Sequence, residues 1–344
     1  MRQCVGLHLG KFPRVDEDIF EILDGLQRFG PFSHVIAGSE ASVYPAAIAR
    51  RRLQARKSTK TLALRCNDKL SMKTWLRDHD IPMTDFIAAD EIDDVDAAVA
   101  RLGLPLVVKQ RRESGGRGIH LLDSAAQLPP LVRRSRIVEK YIDAPEASVE
   151  SFINHGDIQF ESVTRYHQKK HVNLVPGDLP QAQHDALLAL NRRVIKALKI
   201  QWGITHMEAY LDANAVLFGE IALRPPGGYI MELISRAYAF SAWKALVHVE
   251  LDLPFDFKRK RQRHAAVYII HPGAGRVAGI SGWEEVSGHA AVYRARLKTK
   301  PGMLVEVRSG VGEDLGYLLC NGDSSASLLQ TIADLQLQLK IRLD

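Results

Sequence analysis

Two acidic residues in neighbouring strand-like segments are the sharpest chemical feature of this sequence. Glu208 lies in THMEAY, Glu220 lies in FGEIALRP, and turn residues Asp212 and Asn214 separate the two segments. If the segments pair as antiparallel strands, the period-two alternation of side chains places Glu208 and Glu220 opposite each other on one face. Opposed carboxylates repel unless a cation lies between them, and such oxygen ligands suit Mg²⁺ that bridges phosphates. The pair therefore predicts a magnesium site.

The same alternation adds candidates on either side of the acidic pair. His206 shares the face of Glu208, and Arg224 shares the face of Glu220. We expect Arg224 to reach an anionic reaction centre, which makes it the candidate catalytic residue. His206 is expected to line a substrate pocket, together with Gly227 and Gly228, rather than to act as a base. The alternative interpretation is that this face is merely solvated.

Basic and glycine-rich residues upstream predict a phosphate site. Lys69 begins a helix and Lys109 ends the apolar run LVVKQ, where an unpaired lysine is costly to bury. An anionic partner is therefore expected, unless the strand is an edge strand with Lys109 in solvent. The loop that follows can offer successive backbone N–H groups to phosphate oxygens, although it matches neither the P-loop nor the dinucleotide pattern. Its residues are Glu113, Ser114, Gly115, Gly116, Arg117 and Gly118.

The segment VEKYIDAPEASVE carries two carboxylates seven residues apart, Glu139 and Glu146. Glu139 can accept a hydrogen bond from an adenine amine, with backbone groups of Lys140, Tyr141 and Ile142 beside it. Glu146 can accept from ribose hydroxyls. Taken alone, the two glutamates are better explained as surface residues. Only the order of the segments gives them a role in an ATP site.

The elements that must position these residues fall into three lobes. The first 66 residues show a βαβα pattern, which predicts a small parallel α/β lobe. Its strands are expected at 3–9 and 33–40 and its helices at 16–28 and 42–53. Residues 67–260 mix helices and strands, and residues 265–344 read as a β-rich lobe with a final helix. The fold class predicted is α/β and α+β.

Within the middle lobe, helices are predicted to end at Ile81, before Pro82, and at Gly103. The expected helices cover 67–81, 90–103, 181–200 and most of 227–252. The expected strands cover 104–110, 135–143, 147–167, 203–212 and 215–225. The loop 165–180 connects two of these elements and is expected to shape the substrate pocket.

Composition bounds the class of protein. Hydrophobic residues make up 46% and charged residues 25% of the 344 residues, as in ordinary globular proteins. No apolar run approaches the ~20 residues of a membrane-spanning helix, and the start of the chain is interpreted as a strand rather than a signal peptide. Cys4, Cys66 and Cys320 are too far apart for a disulfide framework or a close-spaced zinc site, which favours a reducing cytoplasm.

The formal net charge of +6 suits an anionic ligand such as a nucleotide but also a nucleic acid. The two densest basic runs, 49–60 and 257–264, lack interleaved aromatic residues for base stacking. We therefore expect solvated faces or linkers there and no nucleic-acid partner, and no membrane partner either.

The order of the motifs resembles the ATP-grasp superfamily over about residues 66–245. The ordered set is NDK, VVKQ with SGGRG, EKYIDAPE, THMEAY and GEIALRPPGG. EKYIDAPE is similar to the hinge of D-alanine–D-alanine ligases and biotin carboxylases. The segments outside this core are similar to those of bacterial L-amino acid ligases and carnosine-synthase-type enzymes. The resemblance implies a three-lobed ATP-grasp architecture, with a pre-ATP-grasp lobe at 1–66, the ATP-grasp domain at 67–260 and a C-terminal lobe at 265–344.

The resemblance also implies roles for matching positions. Lys69 and Lys109 would bind ATP phosphates under the flexible cover 113–118, Glu139–Ile142 would hold adenine, and Glu146 would hold ribose. Glu208 and Glu220 would ligate Mg²⁺, with Mn²⁺ as a substitute, and Arg224 would stabilise an acyl phosphate. The implied activity is ATP-dependent joining of a small-molecule carboxylate to an amine through that acyl phosphate, by a cytoplasmic enzyme and possible homodimer.

Two departures from the family pattern keep alternatives open. Most members have asparagine where this chain has Ala222, although some purine-pathway members carry alanine there. The first lobe is also shorter than usual. A purine-biosynthesis-like ligase and a nucleotide-binding module without turnover are therefore the alternative functions.

Overall fold

The computed structural model describes residues 16–55, 59–132, 135–213 and 215–344. Its helices are α1 (Asp16–Leu26), α2 (Glu40–Arg52), α3 (Lys60–Arg65), α4 (Lys69–Arg77), α5 (Val95–Leu102), α6 (Gln181–Leu198), α7 (Ile230–Tyr238), α8 (Ala242–Glu250), α9 (Trp283–Ser287) and α10 (Ser325–Gln338). No helix among the described residues is long and apolar enough to cross a membrane.

The strands follow the predicted order. They are β1 (Phe86–Ala88), β2 (Leu106–Gln110), β3 (His120–Leu122), β4 (Arg136–Lys140), β5 (Glu146–Asn154), β6 (Asp157–Gln168), β7 (Val172–Val175), β8 (Trp202–Leu211), β9 (Val216–Ala222), β10 (His264–Ile270), β11 (Gly275–Ser281), β12 (Val292–Leu297), β13 (Leu304–Val305), β14 (Gly316–Gly322) and β15 (Lys340–Leu343). The short elements α3, β1, β7, α9 and β15 were not predicted.

The N-terminal region confirms two predicted helices and corrects one strand. Helices α1 and α2 pack through Ile19, Leu23 and Ile48. The strand predicted at 33–40 is wrong, because residues 31–38 form no strand and Glu40 begins α2. An extended segment becomes a strand only when a neighbour accepts its backbone hydrogen bonds. The other predicted strand of this lobe, at 3–9, lies outside the described residues, as does Cys4.

A four-stranded antiparallel sheet with the order β1-β4-β2-β3 follows α4. Helix α4 begins where the Asp68 side chain accepts from Ser71 N, and it ends at Arg77, four residues before the predicted Ile81. Strand β2 is an interior strand, because it pairs with β3 on one side and β4 on the other. Lys109 therefore does not lie on the edge strand that was its alternative placement.

An eight-stranded antiparallel sheet with the order β12-β14-β10-β7-β6-β5-β8-β9 forms the centre of the molecule. Helix α6 packs on one face through Leu187 and Val194, and α7 and α8 cover the other face through Ile234 and Leu246. The sheet continues from the middle region into β10, β12 and β14. The lobe boundary predicted at 260–265 therefore does not separate two sheets.

Strands β8 and β9 pair in the register that the alternation of side chains predicted. Glu208 lies opposite Glu220 and His206 lies opposite Ala222. A β-bulge follows Glu208, because Ala209 pairs with Phe218 and leaves Gly219 between the pairs. The turn residue Asn214 lies outside the described residues.

Candidate active site

One cleft of about 2180 Å³ gathers the predicted site residues. It is lined by the N-terminal helices, the four-stranded sheet and the face of the eight-stranded sheet that carries Glu208. Every candidate except Gly118 lines it, namely Lys69, Lys109, Glu113, Ser114, Gly115, Gly116, Arg117, Glu139, Lys140, Tyr141, Ile142, Glu146, His206, Glu208, Glu220, Arg224, Gly227 and Gly228. Residues separated by up to 159 positions in the chain thus meet in one place.

Glu208 and Glu220 each keep one carboxylate oxygen available. Lys69 Nζ lies 3.0 Å from Glu220 Oε2. Glu208 Oε1 accepts from Tyr166 Oη at 2.9 Å and lies 3.3 Å from His206 Nε2. The second oxygen of each carboxylate has no partner among the described residues, and about a third of each side chain faces the cleft.

This donor set fits a divalent cation that takes most of its ligands from elsewhere. No group of three His, Cys, Asp or Glu side chains in the described part of the chain can enclose a metal. Mg²⁺ is commonly held by one or two carboxylates plus substrate phosphates and water. The two free carboxylate oxygens of Glu208 and Glu220, on opposed strands, match this mode of Mg²⁺ binding. The methyl side chain of Ala222 adds no third ligand.

A buried polar network around Glu150 is linked to Glu208 through His206. Glu150 is fully buried and accepts from Ser148 Oγ and Thr164 Oγ1, each at 2.7 Å. His206 Nδ1 lies 2.8 Å from the same carboxylate. Burial lowers the pKa of His206, but its hydrogen bonds to Glu150 and Glu208 outweigh burial and raise that pKa to about 9. The imidazolium therefore donates from both nitrogens, which leaves none to act as a base.

Glu139 holds two lysines together beneath the cleft. Lys109 Nζ lies 2.8 Å from Glu139 Oε2, and Lys73 Nζ lies 3.1 Å from Glu139 Oε1. Burial raises the pKa of Glu139, but the two ammonium groups outweigh burial and lower it to about 2. Glu139 Oε1 accepts no hydrogen bond of good geometry among the described residues. Both carboxylate oxygens thus lie beside ammonium groups, and the expected role of Glu139 as an acceptor for an adenine amine stays a prediction.

Lys73 was not among the predicted residues. It is 1% exposed and lies on α4 one turn after Lys69. The spacing of four residues places both side chains on the same helix face, and that spacing was the available signal. Lys69 Nζ also donates to Glu113 O at 2.6 Å, which ties α4 to the loop that follows β2.

The glycine-rich loop requires glycine for its conformation. Gly115, Gly116 and Gly118 have φ of +68°, +83° and +63°, the left-handed region that other residues rarely adopt. We call residues 308–313 the C-terminal strap. Val311 N of the strap donates to Gly115 O at 3.0 Å, and Arg117 Nη2 donates to Val311 O at 3.0 Å. The strap therefore fastens the loop over the cleft.

The segment expected to hold a nucleoside lies along one wall of the cleft. Tyr141 N donates to Pro105 O at 3.1 Å, whereas Ile142 N has no acceptor among the described residues. That free donor suits a ring nitrogen of adenine. Glu146 forms an ion pair with Lys169 from the turn between β6 and β7, so a ribose hydroxyl would share this carboxylate.

Arg224 and the glycines after it form the far side of the cleft. Arg224 Nε lies 2.8 Å from Glu40 Oε2, and its Nη1 donates to Pro225 O at 2.9 Å. Asn173 Nδ2 donates to Gly228 O at 3.0 Å. Glu40 and Asn173 were missed because no sequence motif marks their approach to residues 184 and 55 positions away.

Comparison with known proteins identifies two domains in this chain. Residues 74–231 match the ATP-grasp domain, and residues 267–344 match the L-amino acid ligase C-terminal domain 2. The two matches follow each other along the chain and together cover more than half of it. The chain therefore carries an ATP-grasp domain followed by an L-amino acid ligase C-terminal domain 2. These two matches confirm the resemblance drawn from the ordered motifs.

Two curated relatives represent the range of similarity. An L-arginine-specific L-amino acid ligase of Bacillus subtilis is 28% identical over 243 residues, which are 65% of this chain and 59% of that protein. A formate-dependent phosphoribosylglycinamide formyltransferase of Pseudomonas entomophila is 29% identical over 213 residues, which are 56% of this chain and 52% of that protein. The chain thus spans less than two thirds of the length of either relative.

A solved structure confirms the predicted fold class. The crystal structure of an L-amino acid ligase from Bacillus licheniformis matches with a TM-score of 0.81 at 20% identity. The match covers 96% of this chain and 86% of that chain. The α/β and α+β architecture expected for an ATP-grasp protein is therefore present.

Proposed function

We propose that this protein is an ATP-dependent carboxylate–amine ligase that joins amino acids, or an amino acid and another carboxylate, into an amide. One observation carries the proposal. Glu208 and Glu220 are opposed in register beneath a glycine-rich loop, with Lys69 and Lys109 at their side. Carboxylates for a cation, ammonium groups for phosphates and a backbone cover are the parts that phosphoryl transfer requires.

The reaction has two balanced steps. A carboxylate oxygen attacks the γ-phosphorus of ATP, the bond to the β-phosphate oxygen breaks, and ADP leaves with the electron pair. The amine nitrogen then attacks the acyl carbon, the bond from that carbon to the phosphate oxygen breaks, phosphate leaves, and the amine gives up one proton to water. Mg²⁺, or Mn²⁺ in its place, would supply charge neutralisation between Glu208, Glu220 and the phosphates.

The chain's own residues position and protect these groups. Lys69 and Lys109 place positive charge beside the phosphates, and Arg224 lies where negative charge develops on the acyl centre. The loop 113–118, fastened by the C-terminal strap, excludes water that would hydrolyse an acyl phosphate. Glu139, Ile142 and Glu146 bind the nucleoside.

ADP release tests this function. The protein is incubated with ATP, Mg²⁺ and pairs of amino acids, and ADP and phosphate are measured together with the amide product. We expect ADP release that depends on both substrates and stops when EDTA removes the metal. No substrate-dependent ADP release over a wide panel contradicts the proposal.

Ala222 favours a second candidate within the same superfamily. Alanine at this position is the departure that the resemblance links to purine-pathway members, and a phosphoribosylglycinamide formyltransferase is among the relatives. A preference for phosphorylated ribose-containing amines over amino acids in the same assay decides for this candidate. ATP binding that survives EDTA, without turnover on any acceptor, favours a nucleotide-binding module instead.

Small molecules, rather than nucleic acids or membranes, are the proposed partners. A cytoplasmic location is supported by Cys66 and Cys320, which are free and buried. A homodimer is also proposed, and light scattering at micromolar concentration distinguishes it from a monomer.

A further inference from the structure

Arg308 of the C-terminal strap lines the cleft without a carboxylate partner. Its Nε donates to Gly310 O at 3.3 Å, and its Nη1 donates to Lys170 O. Among the described residues no carboxylate oxygen lies within ion-pair distance of its guanidinium. The side chain is half-buried, so its charge is only partly solvated.

Two acidic residues that follow Arg308 in sequence, Glu313 and Asp314, are already engaged. Glu313 accepts from the backbone and hydroxyl of Ser309 and from Gly310 N, and it forms an ion pair with Arg117 at 3.3 Å. Asp314 accepts from Lys298 Nζ at 2.7 Å and from Tyr229 Oη at 3.2 Å. Both carboxylates act on the charge of Arg308 from a distance, but neither forms an ion pair with it.

Three other arginines that line the cleft are paired with carboxylates, and a fourth, Arg28, is exposed and stacks over the ring of Phe29. Arg112 pairs with Asp68 at 3.1 Å, Arg117 with Glu313, and Arg224 with Glu40 at 2.8 Å. Arg308 differs because it is half-buried and, within the part of the chain that the structure describes, donates only to neutral backbone oxygens. A partly desolvated guanidinium without an ion-pair partner is stabilised more by an incoming anion than one that is already paired. Charge-assisted and bidentate hydrogen bonds to carboxylates are stronger than hydrogen bonds between neutral groups.

The strap places Arg308 beside the reaction space. Val311, three residues on, is bonded to Gly115 of the cover. A Cβ added at Gly227 would lie 3.0 Å from Val311 Cγ1, so the strap also touches the turn that follows Arg224. Arg308 and Arg224 thus line the same cleft from two different parts of the chain.

Resting on the proposed function, we infer that Arg308 binds the free carboxylate of the amine substrate and so orients its nitrogen toward the acyl phosphate. The nucleophile is then an amino acid that is recognised through its own carboxylate. Two separate arginines serve the two carboxylates in the cleft, with Arg224 at the one that is activated and Arg308 at the one that is not.

The competing explanation is that Arg308 only fastens the strap through its backbone hydrogen bonds. Arg308→Gln separates the two roles, because glutamine keeps an N–H donor but lacks the charge. Arg308→Lys keeps the charge but lacks the planar fork. Arg276→Gln is the matched control, since Arg276 also donates to a backbone oxygen, Gly302 O at 2.7 Å, and is not among the residues that line the cleft.

The test compares amine acceptors as free amino acids and as the corresponding carboxamides, which keep the amine and lose the negative charge. Wild type is expected to use the free acid more efficiently than the amide. In Arg308→Gln the KM for the free acid should rise roughly 10- to 100-fold, the range for loss of a charged hydrogen bond. The preference over the amide should disappear while the KM for ATP stays within about twofold.

Arg308→Lys should raise the same KM by a smaller factor and retain the preference, and Arg276→Gln should match wild type. A preference for the free acid that survives in Arg308→Gln overturns the inference. A rise in the KM for ATP equal to that for the amine overturns it as well, because it indicates a loosened strap. If the wild-type protein releases no ADP with any acceptor, both the proposed function and this inference are overturned. The two contrary outcomes for Arg308→Gln overturn this inference alone and leave the proposed function standing.

Discussion

Glu208 and Glu220 are direct partners across β8 and β9, and each receives its own cation or donor from a different part of the chain. Lys69 from α4 approaches Glu220 at 3.0 Å, and Tyr166 from β6 donates to Glu208 at 2.9 Å. The repulsion between two opposed carboxylates is thus relieved at the outer oxygens, while the remaining oxygens stay available. This arrangement makes the pair a preformed place for a cation.

Glu220→Gln should abolish the response to Mg²⁺. The substitution keeps the shape of the side chain and removes half of the negative charge that the cation would meet. We expect kcat/KM to fall at least about 100-fold, the scale for loss of one preorganised electrostatic group. ADP release over a range of Mg²⁺ concentrations measures this effect. Glu161→Gln removes a carboxylate that pairs with Arg192 and should leave the Mg²⁺ response unchanged. Equal activity and equal Mg²⁺ dependence in Glu220→Gln would remove the metal assignment.

Arg224→Ala should spare ATP binding and impair coupling. Arg224 contacts Glu40 and the backbone of Pro225, and among the described residues it forms no hydrogen bond or ion pair with the segment 139–146. We expect the Kd for ATP, measured by calorimetry, to stay within about twofold, while amide formation falls about 100-fold or more. Arg224→Lys keeps a positive charge beside Glu40, so its rate of amide formation should fall by less. ATP binding that weakens as much as turnover would contradict this role.

Lys73→Ala should destabilise the fold. The substitution removes one of the two cations that compensate the buried Glu139 and also leaves a cavity. Breaking a buried ion pair on one side costs about 3–5 kcal/mol. Urea denaturation measures the loss in the free energy of unfolding. Lys73→Met fills the space and should lose less, and Lys196→Ala on the exposed face of α6 should change stability by no more than about 0.5 kcal/mol. A loss in Lys73→Ala no larger than in the Lys196 control would disprove the compensation.

The pKa of Glu139 sets a pH window for stability. Because this pKa is lowered from 4.5 to about 2 in the folded protein, the carboxylate contributes stability above pH 4.5 and loses it as the pH falls toward 2. The contribution is on the order of 3 kcal/mol. Urea denaturation at several pH values between 5 and 2.5 measures the slope. Lys73→Met should show a shallower loss over this window, and a slope equal to that of wild type would contradict the assignment.

Gly115→Ala should loosen the cover. Gly115 has φ of +68°, and an added Cβ would lie 3.1 Å from Val311 N, whose hydrogen bond to Gly115 O fastens the loop. We expect the KM for ATP to rise roughly fivefold, equivalent to about 1 kcal/mol. Gly302→Ala carries the same backbone strain at φ of +87°, but its added Cβ would meet no atom within 4 Å. It should lose stability without a change in the KM for ATP. Equal kinetic effects in both variants would argue against the contact with the strap.

The sequence by itself determined the elements and the chemistry that is local to them. Alternation along two strands placed Glu208 against Glu220, and the motif order indicated the ATP-grasp fold, because both depend on spacing within short segments. Its failures were also local. The segment 33–40 reads as a strand, but strand formation depends on a partner that composition alone does not supply.

Only the tertiary structure decided which charges meet. Lys73 joins Lys109 at Glu139, Glu40 reaches Arg224 from another lobe, and the strap brings Arg308 into the cleft. Lys73 and Glu139 are 66 positions apart in the sequence, and Glu40 and Arg224 are 184 positions apart. No periodicity of the sequence predicts contacts at such separations. The strap reaches the site because the eight-stranded sheet continues from the middle region into the C-terminal region, whereas Lys73 and Glu40 are brought there by α4 and α2. Long-range packing, rather than local pattern, therefore fixed the electrostatics of the cleft.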